Sequence, residues 1–276
     1  MAEAARVRGK LPAFVILLLV AATTLYPLSF VFTNAFRTKT EYLKGPYGWP
    51  AEWSLNNFVL LIENYDLFRA FGNSAMVIGT ALVIVLAAST LAAYAIVKLD
   101  LPFKQVFSGT FLSVMLVPSQ VLIIPVYLLL SLLRVVDTLP GVILVYAATN
   151  MPFAVFFMST VMRSVPNELL EAARIDGAGP LRTLVSVVVP VLRTSILTLA
   201  VLIFLAMWNE LIFGLILLPS EMNSLLTPRM ASIGGRFVTN QPLLMAGLLL
   251  TSLPPILVLT FLSKYLVSGI AAGMGK

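Results

Sequence analysis

The sequence of 276 residues contains no cysteine and no histidine. Without cysteine there are no disulfides, no thiolate nucleophile and no thiolate metal ligands. Without histidine the commonest general base is missing, which excludes a Ser-His-Asp set and most zinc sites. No catalytic residue and no metal site are therefore predicted in this chain.

Charged residues are scarce as well, at 11% of the chain against about 25% in soluble globular proteins. Hydrophobic residues make up 59%, which predicts a polytopic membrane protein of the all-α class. The sequence also lacks the G-x-x-x-x-G-K-[ST] pattern of a phosphate-binding loop. Gly9-Lys10 and Gly275-Lys276 are isolated dipeptides without the upstream glycine. The chain is not expected to hydrolyse ATP, so energy for any transport must come from another polypeptide.

Six windows are long and apolar enough to cross about 30 Å of hydrocarbon, which takes roughly 20 residues. They are Leu11–Thr33, Ala75–Val97, Val106–Leu133, Leu139–Met162, Thr194–Leu218 and Gln241–Ser263. The third window has 28 residues, and its end near Leu129–Leu133 is expected to leave the membrane as a short surface helix. The first window is too long for the apolar part of a signal peptide and has no convincing cleavage site, so it is interpreted as a retained span.

Lysine and arginine are unevenly distributed among the loops that join these windows. One set of loops, together with both termini, carries eleven basic and five acidic residues, whereas the opposite set carries seven basic and six acidic residues. The positive-inside rule makes the first set cytoplasmic, with both termini on that side. Membrane topology thus accounts for the formal net charge of +6, and the chain is not expected to bind nucleic acid.

The cytoplasmic segment Arg163–Arg193 is unusually organised for a polar loop. Pro166 suits the first turn of a helix, and Gly177 suits the left-handed geometry that ends one. Four residues of this helix fall at i, i+3, i+4 and i+7 and are predicted to share one face: Leu169, Ala172, Ala173 and Asp176. A second helix is predicted over Pro180–Val189, with an interruption at Pro190. The segment is either a small-residue docking surface for a partner or an ordinary solvated loop.

The same segment resembles the signature of the membrane subunits of bacterial ABC importers: Glu-Ala-Ala, three residues, Gly, nine residues, then apolar-x-apolar-Pro. The residues that fill this pattern are Glu171, Ala172, Ala173, Gly177, Val187, Val189 and Pro190. The two valines stand where the family often has Ile and Leu, and they keep those positions apolar. Three further stretches are similar to the carbohydrate-uptake branch, especially the maltose permease type: Pro166–Ala178, Trp208-Asn209-Glu210 and Lys264-Tyr265.

The resemblance implies the type I ABC importer permease fold, with six transmembrane helices in the bacterial plasma (inner) membrane. It divides the chain into an N-terminal transmembrane helix with an outer loop (1–70), a transmembrane core (71–268) and a cytoplasmic tail (269–276). The implied function is the membrane-spanning part of an ATP-driven importer for a sugar, such as a di- or oligosaccharide. An importer for another solute, such as a phosphodiester or a peptide, is the nearest alternative.

The implied partners are a second permease subunit, two ATP-binding subunits that hold ATP and Mg, a periplasmic or other extracellular sugar-binding protein, and the lipid bilayer. No cofactor is expected in this chain. The resemblance assigns coupling to the ATP-binding subunits to Glu168, Glu171, Ala172, Ala173, Asp176 and Gly177. It also directs the outer segment Pro219–Asn240 towards the binding protein, with a flexible polar tip at Gly234, Gly235 and Arg236; an unengaged solvent loop is the alternative.

Glu210 is the only charged residue inside the six windows. Sixteen residues at about 1.5 Å each place it roughly 24 Å above the cytoplasmic edge, towards the outer leaflet. Ionisable residues within a membrane usually face a cavity, so Glu210 and its neighbours Trp208 and Asn209 are candidates to line a sugar path. The alternative is that Glu210 reaches the outer surface and supports a loop.

Prolines interrupt several of the windows and are candidate gating elements, since freed carbonyls are tolerated where neighbours or a cavity satisfy them. They are Pro118, Pro125, Pro152, Pro254 and Pro255. Ordinary membrane helices also contain proline, which is the plainer interpretation of each. Two other classes of protein fit less well. A secondary transporter needs ionisable relays or inverted repeats inside its spans, and a membrane scaffold needs no broken spans.

Overall fold

A computed structural model describes residues 11–236 and 240–273 of the chain. Within these ranges the regular structure is entirely helical, which confirms the all-α class. The chain divides into two compact units, the first made of Met1–Leu67 with Met230–Leu253 and the second of Phe68–Arg229 with Pro254–Lys276. The division of the chain at residues 70 and 268 stays a prediction.

The first unit contains α1 (Leu11–Ala35), α2 (Lys39–Lys44) and α3 (Asn56–Tyr65). The side chain of Arg37 is buried at 2% exposure, and its guanidinium donates to the carbonyl oxygens of Gly45 at 2.6 Å, Tyr47 at 3.1 Å and Gly48 at 2.9 Å. Backbone carbonyls therefore bond both terminal nitrogens of the buried guanidinium, while its Nε lies 3.8 Å from Oε1 of Glu41 in an ion pair. This arrangement gives the outer loop after α1 a fixed shape.

The second unit begins with α4 (Leu67–Lys98), whose first residue is counted in the first unit, and continues with α5 (Lys104–Met115), a 3₁₀ turn (Ser119–Leu122), α6 (Ile123–Leu132) and α7 (Leu139–Met162). α4 starts eight residues before the predicted window because polar residues of its first turns bond to other parts of the protein. α7 packs against α5 and against α11, defined below. Its buried side chains include Val155 and Met158.

The third predicted span is broken in the middle. Lys104–Met115 and Ser119–Leu132 meet at an angle of 91°, so the span is interrupted next to Pro118, one of the prolines singled out in the sequence. The prediction of a separate short helix near Leu129–Leu133 is wrong, because Leu129–Leu132 continue α6. Pro118 explains the position of the break, since it lacks an N–H and disfavours helical geometry in the residue before it. Pro152, by contrast, lies inside the uninterrupted helix α7.

The remaining elements follow the cytoplasmic segment. They are α8 (Asn167–Ile175), α9 (Pro180–Thr183), a π turn (Leu184–Val188), α10 (Val189–Val191), α11 (Arg193–Trp208), α12 (Ile212–Leu217), α13 (Leu226–Arg236) and α14 (Gln241–Gly273). The helical path bends by 80° between Val191 and Arg193. The predicted interruption at Pro190 is therefore displaced to Leu192, because Pro190 occupies the first turn of α10, where its missing N–H costs nothing.

Within residues 11–236 and 240–273, four helices are long and apolar enough to cross a membrane, and the count reaches six if each of the two bent pairs forms one span. The four are Phe14–Ala35, Leu67–Lys98, Leu139–Met162 and Gln241–Leu266. The predicted fifth span Thr194–Leu218 is interrupted, since α11 ends at Trp208 and α12 begins only at Ile212. The last span is continuous through Pro254 and Pro255.

Candidate functional site

Helix α8 in the cytoplasmic segment has one buried and one exposed face. Leu170 and Ala173 point into the protein, at 4% and 8% exposure. Leu169 and Ala172 are exposed, and Ile175 is exposed by 87%. The prediction that both alanines share the outer face is therefore wrong, because residues at i and i+1 lie about 100° apart on a helix. The outer face presents small and apolar groups to the solvent.

The end of α8 is a Schellman cap centred on Gly177, as the sequence predicts. Gly177 has φ of +76°; its N–H donates to the carbonyl of Arg174 at 3.0 Å, and the N–H of Ala178 donates to that of Ala173 at 2.9 Å. A Cβ added at Gly177 would meet no atom within 4 Å. The requirement for glycine is therefore set by the backbone angle and not by crowding.

The exposed apolar surface continues beyond Gly177 into α9 and the π turn. Leu181 and Val185 are 65% and 60% exposed, and they border an apolar cleft of about 330 Å³ between this segment and α4. The sequence pattern alone did not single out Ile175, Leu181 or Val185. The sequence does show them as apolar residues within the otherwise polar segment Arg163–Arg193. They were missed because they lie outside the set of residues at i, i+3, i+4 and i+7 from Leu169.

The carboxylates assigned to coupling surround this surface. Glu168, Glu171 and Asp176 are all exposed, and Glu168 lies in the first turn of α8, where negative charge favours the positive helix end. Glu171 also lines a polar cleft of about 240 Å³ between α8 and the α4–α5 connection. The basic residues of this cleft are Lys98, Lys104 and Arg174. The six predicted coupling residues thus lie on one helix and its cap, with only Ala173 buried.

Glu210 lies between the end of α11 and the start of α12, and its carboxylate hydrogen-bonds to the first residues of α12. One of its carboxylate oxygens, Oε1, accepts from the N–H groups of Ile212 at 2.9 Å and Phe213 at 3.0 Å. The other, Oε2, accepts from the N–H of Gly214 at 3.2 Å and from the hydroxyl of Tyr146 at 3.1 Å. The carboxylate therefore caps α12 and ties it to α7. These contacts support the interpretation of Glu210 as a loop support.

The two neighbours of Glu210 are placed differently from each other. The indole of Trp208 is buried at 5% exposure, stacked on Phe204 with ring centroids 5.5 Å apart and edge-on to Phe71 at 6.4 Å. Asn209 is exposed and donates to the carbonyl of Leu205 at 2.8 Å. The three residues predicted to line a path therefore do not face one common surface.

A cavity of about 510 Å³ lies beside the 91° break, between the α5–α6 region and α7. Most of its lining is apolar, and its polar groups are Ser119, Gln120 and Thr149. Sequence reasoning identified Pro118 and Pro152 of this lining but not these polar residues. Pro118 marks the place of the bend, but no local pattern specifies its angle of 91°, which brings these polar residues together with α7.

The outer segment contains a helix where the sequence predicts a loop. Gly234, Gly235 and Arg236 form the last turn of α13, while the flexibility of this tip and its contact with the binding protein stay predictions. Arg229, Met230 and Ala231 before them are strong helix formers and offset the cost of the two glycines, about 1 kcal/mol each. The sequence also places Thr239 and Asn240 beside this tip, and Thr239 lies outside the described residues.

Residues 88–272 match the family described as "Binding-protein-dependent transport system inner membrane component". This chain belongs to that family. The match covers α8, its Gly177 cap, both bent regions and the Glu210 support. The chain is accordingly a multi-pass permease subunit of the inner membrane with the type I ABC importer permease fold.

Relatives of similar length support this assignment. The chain is 27% identical to the diacetylchitobiose uptake system permease protein NgcG of Streptomyces coelicolor, over 94% of this chain and 86% of the relative. It is 28% identical to the melibiose/raffinose/stachyose import permease protein MelC of Bacillus subtilis, over 99% of both. A putative ABC transporter permease protein of Streptomyces antibioticus is 35% identical over 82% of this chain and 99% of the relative.

A solved structure shows the same fold. A chain of a bacterial ABC transporter involved in the import of the acidic polysaccharide alginate superposes with a TM-score of 0.81 at 22% identity, over 94% of this chain and 96% of that chain. This likeness identifies the architecture of α1–α14 as that of an importer permease.

Proposed function

We propose that this chain is the permease subunit of an ATP-driven importer for a di- or oligosaccharide, with α8 as its docking helix. The observation that carries the proposal is the exposed, small and apolar face of α8, fixed by the Gly177 cap, in a chain of this family. The exposed small and apolar residues that support it are Leu169, Ala172 and Ile175 on α8, together with Leu181 on α9. Large apolar side chains in water are expected to be covered by a partner.

The partners follow from what the chain contains and lacks. Its sequence has no phosphate-binding loop, so two separate ATP-binding subunits of the complex would hold ATP and Mg, and one of them would dock on α8. A second permease subunit would complete the path. A periplasmic sugar-binding protein would deliver the substrate; an alginate ABC transporter of similar fold (TM-score 0.64) has been solved with a pentasaccharide-bound periplasmic protein.

The substrate class rests on the relatives. Three of them are named for diacetylchitobiose, for melibiose, raffinose and stachyose, and for arabinooligosaccharides. All of these are short carbohydrates, which favours a sugar over a phosphodiester or a peptide. The cavity beside the break offers amide and hydroxyl groups, from Gln120, Ser119 and Thr149, that suit hydrogen bonds to sugar hydroxyls.

In the proposed mechanism, α8 transmits the movement of the ATP-binding subunits to the membrane helices. Closure of the ATP-binding subunits would move α8 as a rigid body, because the Schellman cap fixes its end and Leu170 and Ala173 anchor its inner face. The two bent regions, at Pro118 and at Leu192, are the places where the helical path already changes direction. Access to the central path would then alternate between the two sides of the membrane.

The test is uptake by the full complex in proteoliposomes, with the binding protein outside and ATP inside. The solutes are radiolabelled disaccharides, a trisaccharide, a glycerol phosphodiester and a dipeptide. ATP-dependent uptake of a sugar is the expected result, and Gln120→Leu is expected to weaken the apparent affinity for it at equal complex content. Uptake of the phosphodiester or the peptide alone would overturn the assignment of a sugar.

A further inference from the structure

The last residue of α4 is bonded to the beginning of α8, across almost seventy residues of sequence. The ammonium of Lys98 donates to the carbonyl oxygen of Val165 at 2.6 Å and to Oδ1 of Asn167 at 2.8 Å. Asn167 is the first residue of α8, and Val165 is buried. Hydrogen bonds from a charged donor are stronger than neutral ones. Lys98 thus fixes the entry of the proposed docking helix to the second predicted span.

The same helix is bonded at its other end to the outer segment. The side-chain amide of Asn73 donates to the carbonyl oxygens of Met222 at 3.0 Å and Ser224 at 3.2 Å. The hydroxyl of neighbouring Ser74, which is buried, accepts from the N–H of Leu226 at 2.8 Å, at the start of α13. All of these residues belong to the second unit. These bonds explain why α4 carries polar residues before its apolar run.

α4 therefore joins a cytoplasmic surface to an outer one through a single rigid element. Lys98 and Asn73 are 25 residues apart on one uninterrupted helix, a distance of about 38 Å at 1.5 Å per residue. A second connection runs beside it through α7: Asp137, just before α7, accepts hydrogen bonds from Ser220 and Asn223 of the outer segment, and the connection Arg163–Pro166 leads from the end of α7 to α8. A displacement of α8 along the α4 axis is passed on by α4 without any change in its own hydrogen bonds.

We propose that α4 is a strut that couples the docking helix to the outer segment Met222–Leu226, and that Lys98 and Asn73 are the positioning residues at its two ends. This inference rests on the proposed function, since it assumes that α8 receives the push of the ATP-binding subunits. What it adds is the route: a signal from the binding protein on the outer segment would reach α8 through Asn73 and Lys98.

The test uses the full complex in proteoliposomes, with two readings per preparation: sugar uptake, and stimulation of ATP hydrolysis by the loaded binding protein. The variants are Lys98→Met, which keeps the aliphatic stem but removes the donor, Lys98→Arg, which keeps a cationic donor, and Asn73→Ala. Lys104→Met is the matched control, because Lys104 lines the same cytoplasmic cleft at the start of α5.

Lys98→Met is expected to lower both the stimulation and the uptake per ATP hydrolysed by at least about fivefold, the lower end of coupling between distant sites. Lys98→Arg is expected to recover most of the loss, and Lys104→Met to behave as the wild type. The double variant Lys98→Met/Asn73→Ala is expected to be no worse than the poorer single variant, because each change cuts the same strut.

Two results would overturn the strut: equal behaviour of Lys98→Met and Lys104→Met, or multiplied losses in the double variant. Because the chain has no cysteine, the double variant Lys98→Cys/Asn167→Cys can be crosslinked selectively. A short bifunctional maleimide would then replace the lost hydrogen bond between these two positions by a covalent link. Failure of this crosslink to recover coupling also counts against the proposal. Absence of sugar uptake by the wild-type complex would instead contradict the proposed function, so the two failures are distinguishable.

Discussion

At the scale of single residues, the backbone angle of Gly177 is the feature with the most direct consequence. Its φ of +76° lies in the left-handed region, where a β-branched residue is strongly disfavoured and asparagine is tolerated. The space around the position is open, so a difference between substitutions reports the backbone and not crowding.

Gly177→Val is expected to misplace the end of α8, because valine in the left-handed conformation strains the backbone by roughly 1–2 kcal/mol. Both the copurification of the ATP-binding subunits and the uptake rate should therefore fall by about tenfold. Gly177→Asn is expected to retain most of both, because asparagine adopts the left-handed conformation. The measurements are subunit ratios in the purified complex and initial uptake rates. Equal loss in the two variants would show that the side chain, and not the angle, matters.

Glu210 gives the second prediction at this scale. Glu210→Gln replaces one carboxylate oxygen by an NH2 group that cannot accept, so either the N–H groups of Ile212 and Phe213 or the N–H of Gly214 lose their acceptor, while the Tyr146 hydroxyl can turn to accept from the amide. A loss of about 1.5–3 kcal/mol is expected for a hydrogen bond to a charged group. The amount of folded complex should fall, while the apparent sugar affinity per complex stays unchanged.

Thermal unfolding of the detergent-solubilised complex, together with uptake normalised to complex content, checks this expectation. Asn209→Ala is the control, because Asn209 is exposed and makes one local bond, to Leu205. A changed affinity with normal stability in Glu210→Gln would restore the interpretation of Glu210 as a path-lining residue. The same change in Asn209→Ala alone would move that role to its neighbour.

At the scale of elements, we propose different partners for α13 and for the α8–α9 segment. Ala231 is exposed on α13, and Leu181 is exposed on α9. A photo-crosslinking residue at Ala231 is expected to capture the binding protein, whereas one at Leu181 is expected to capture an ATP-binding subunit. Each position serves as the control for the other.

The measurement is the mass of the crosslinked product in the ATP-trapped complex, read by antibodies against the two partners. Capture should be absent at buried Ile233, where the side chain cannot reach a partner. Failure of Ala231 to capture the binding protein in every trapped state would leave α13 as an unengaged outer helix. Capture of the same partner from both positions would contradict the topology.

At the scale of the whole molecule, the charge distribution predicts that both termini are cytoplasmic. The chain is free of cysteine, so single cysteines report topology without background. Ala4→Cys and Met274→Cys are expected to resist a membrane-impermeant thiol reagent in spheroplasts, and Ile175→Cys on α8 should resist it too. Leu43→Cys on α2, which is 72% exposed, should react. Labelling of either terminus before lysis would reverse the orientation.

The amino-acid pattern by itself determined the membrane-spanning helical class, the position of the polar segment Arg163–Arg193, the glycine cap and the family. These features are local: apolar runs specify helices in lipid, and Gly177 after a short amphipathic helix specifies its end. The Glu-Ala-Ala spacing is equally local. The sequence also lacks the pattern of a phosphate-binding loop, and a composition without histidine excludes histidine chemistry.

Only the tertiary structure decided which face of α8 is buried, where the third and fifth spans break, and what Glu210, Lys98 and Asn73 do. Their partners lie far away in sequence: Tyr146 for Glu210, Val165 for Lys98 and Met222 for Asn73. A sequence states which groups need a hydrogen-bond partner, because unpaired polar groups are costly in a membrane. Which partner satisfies each group depends on how the helices pack, and that is a property of the fold.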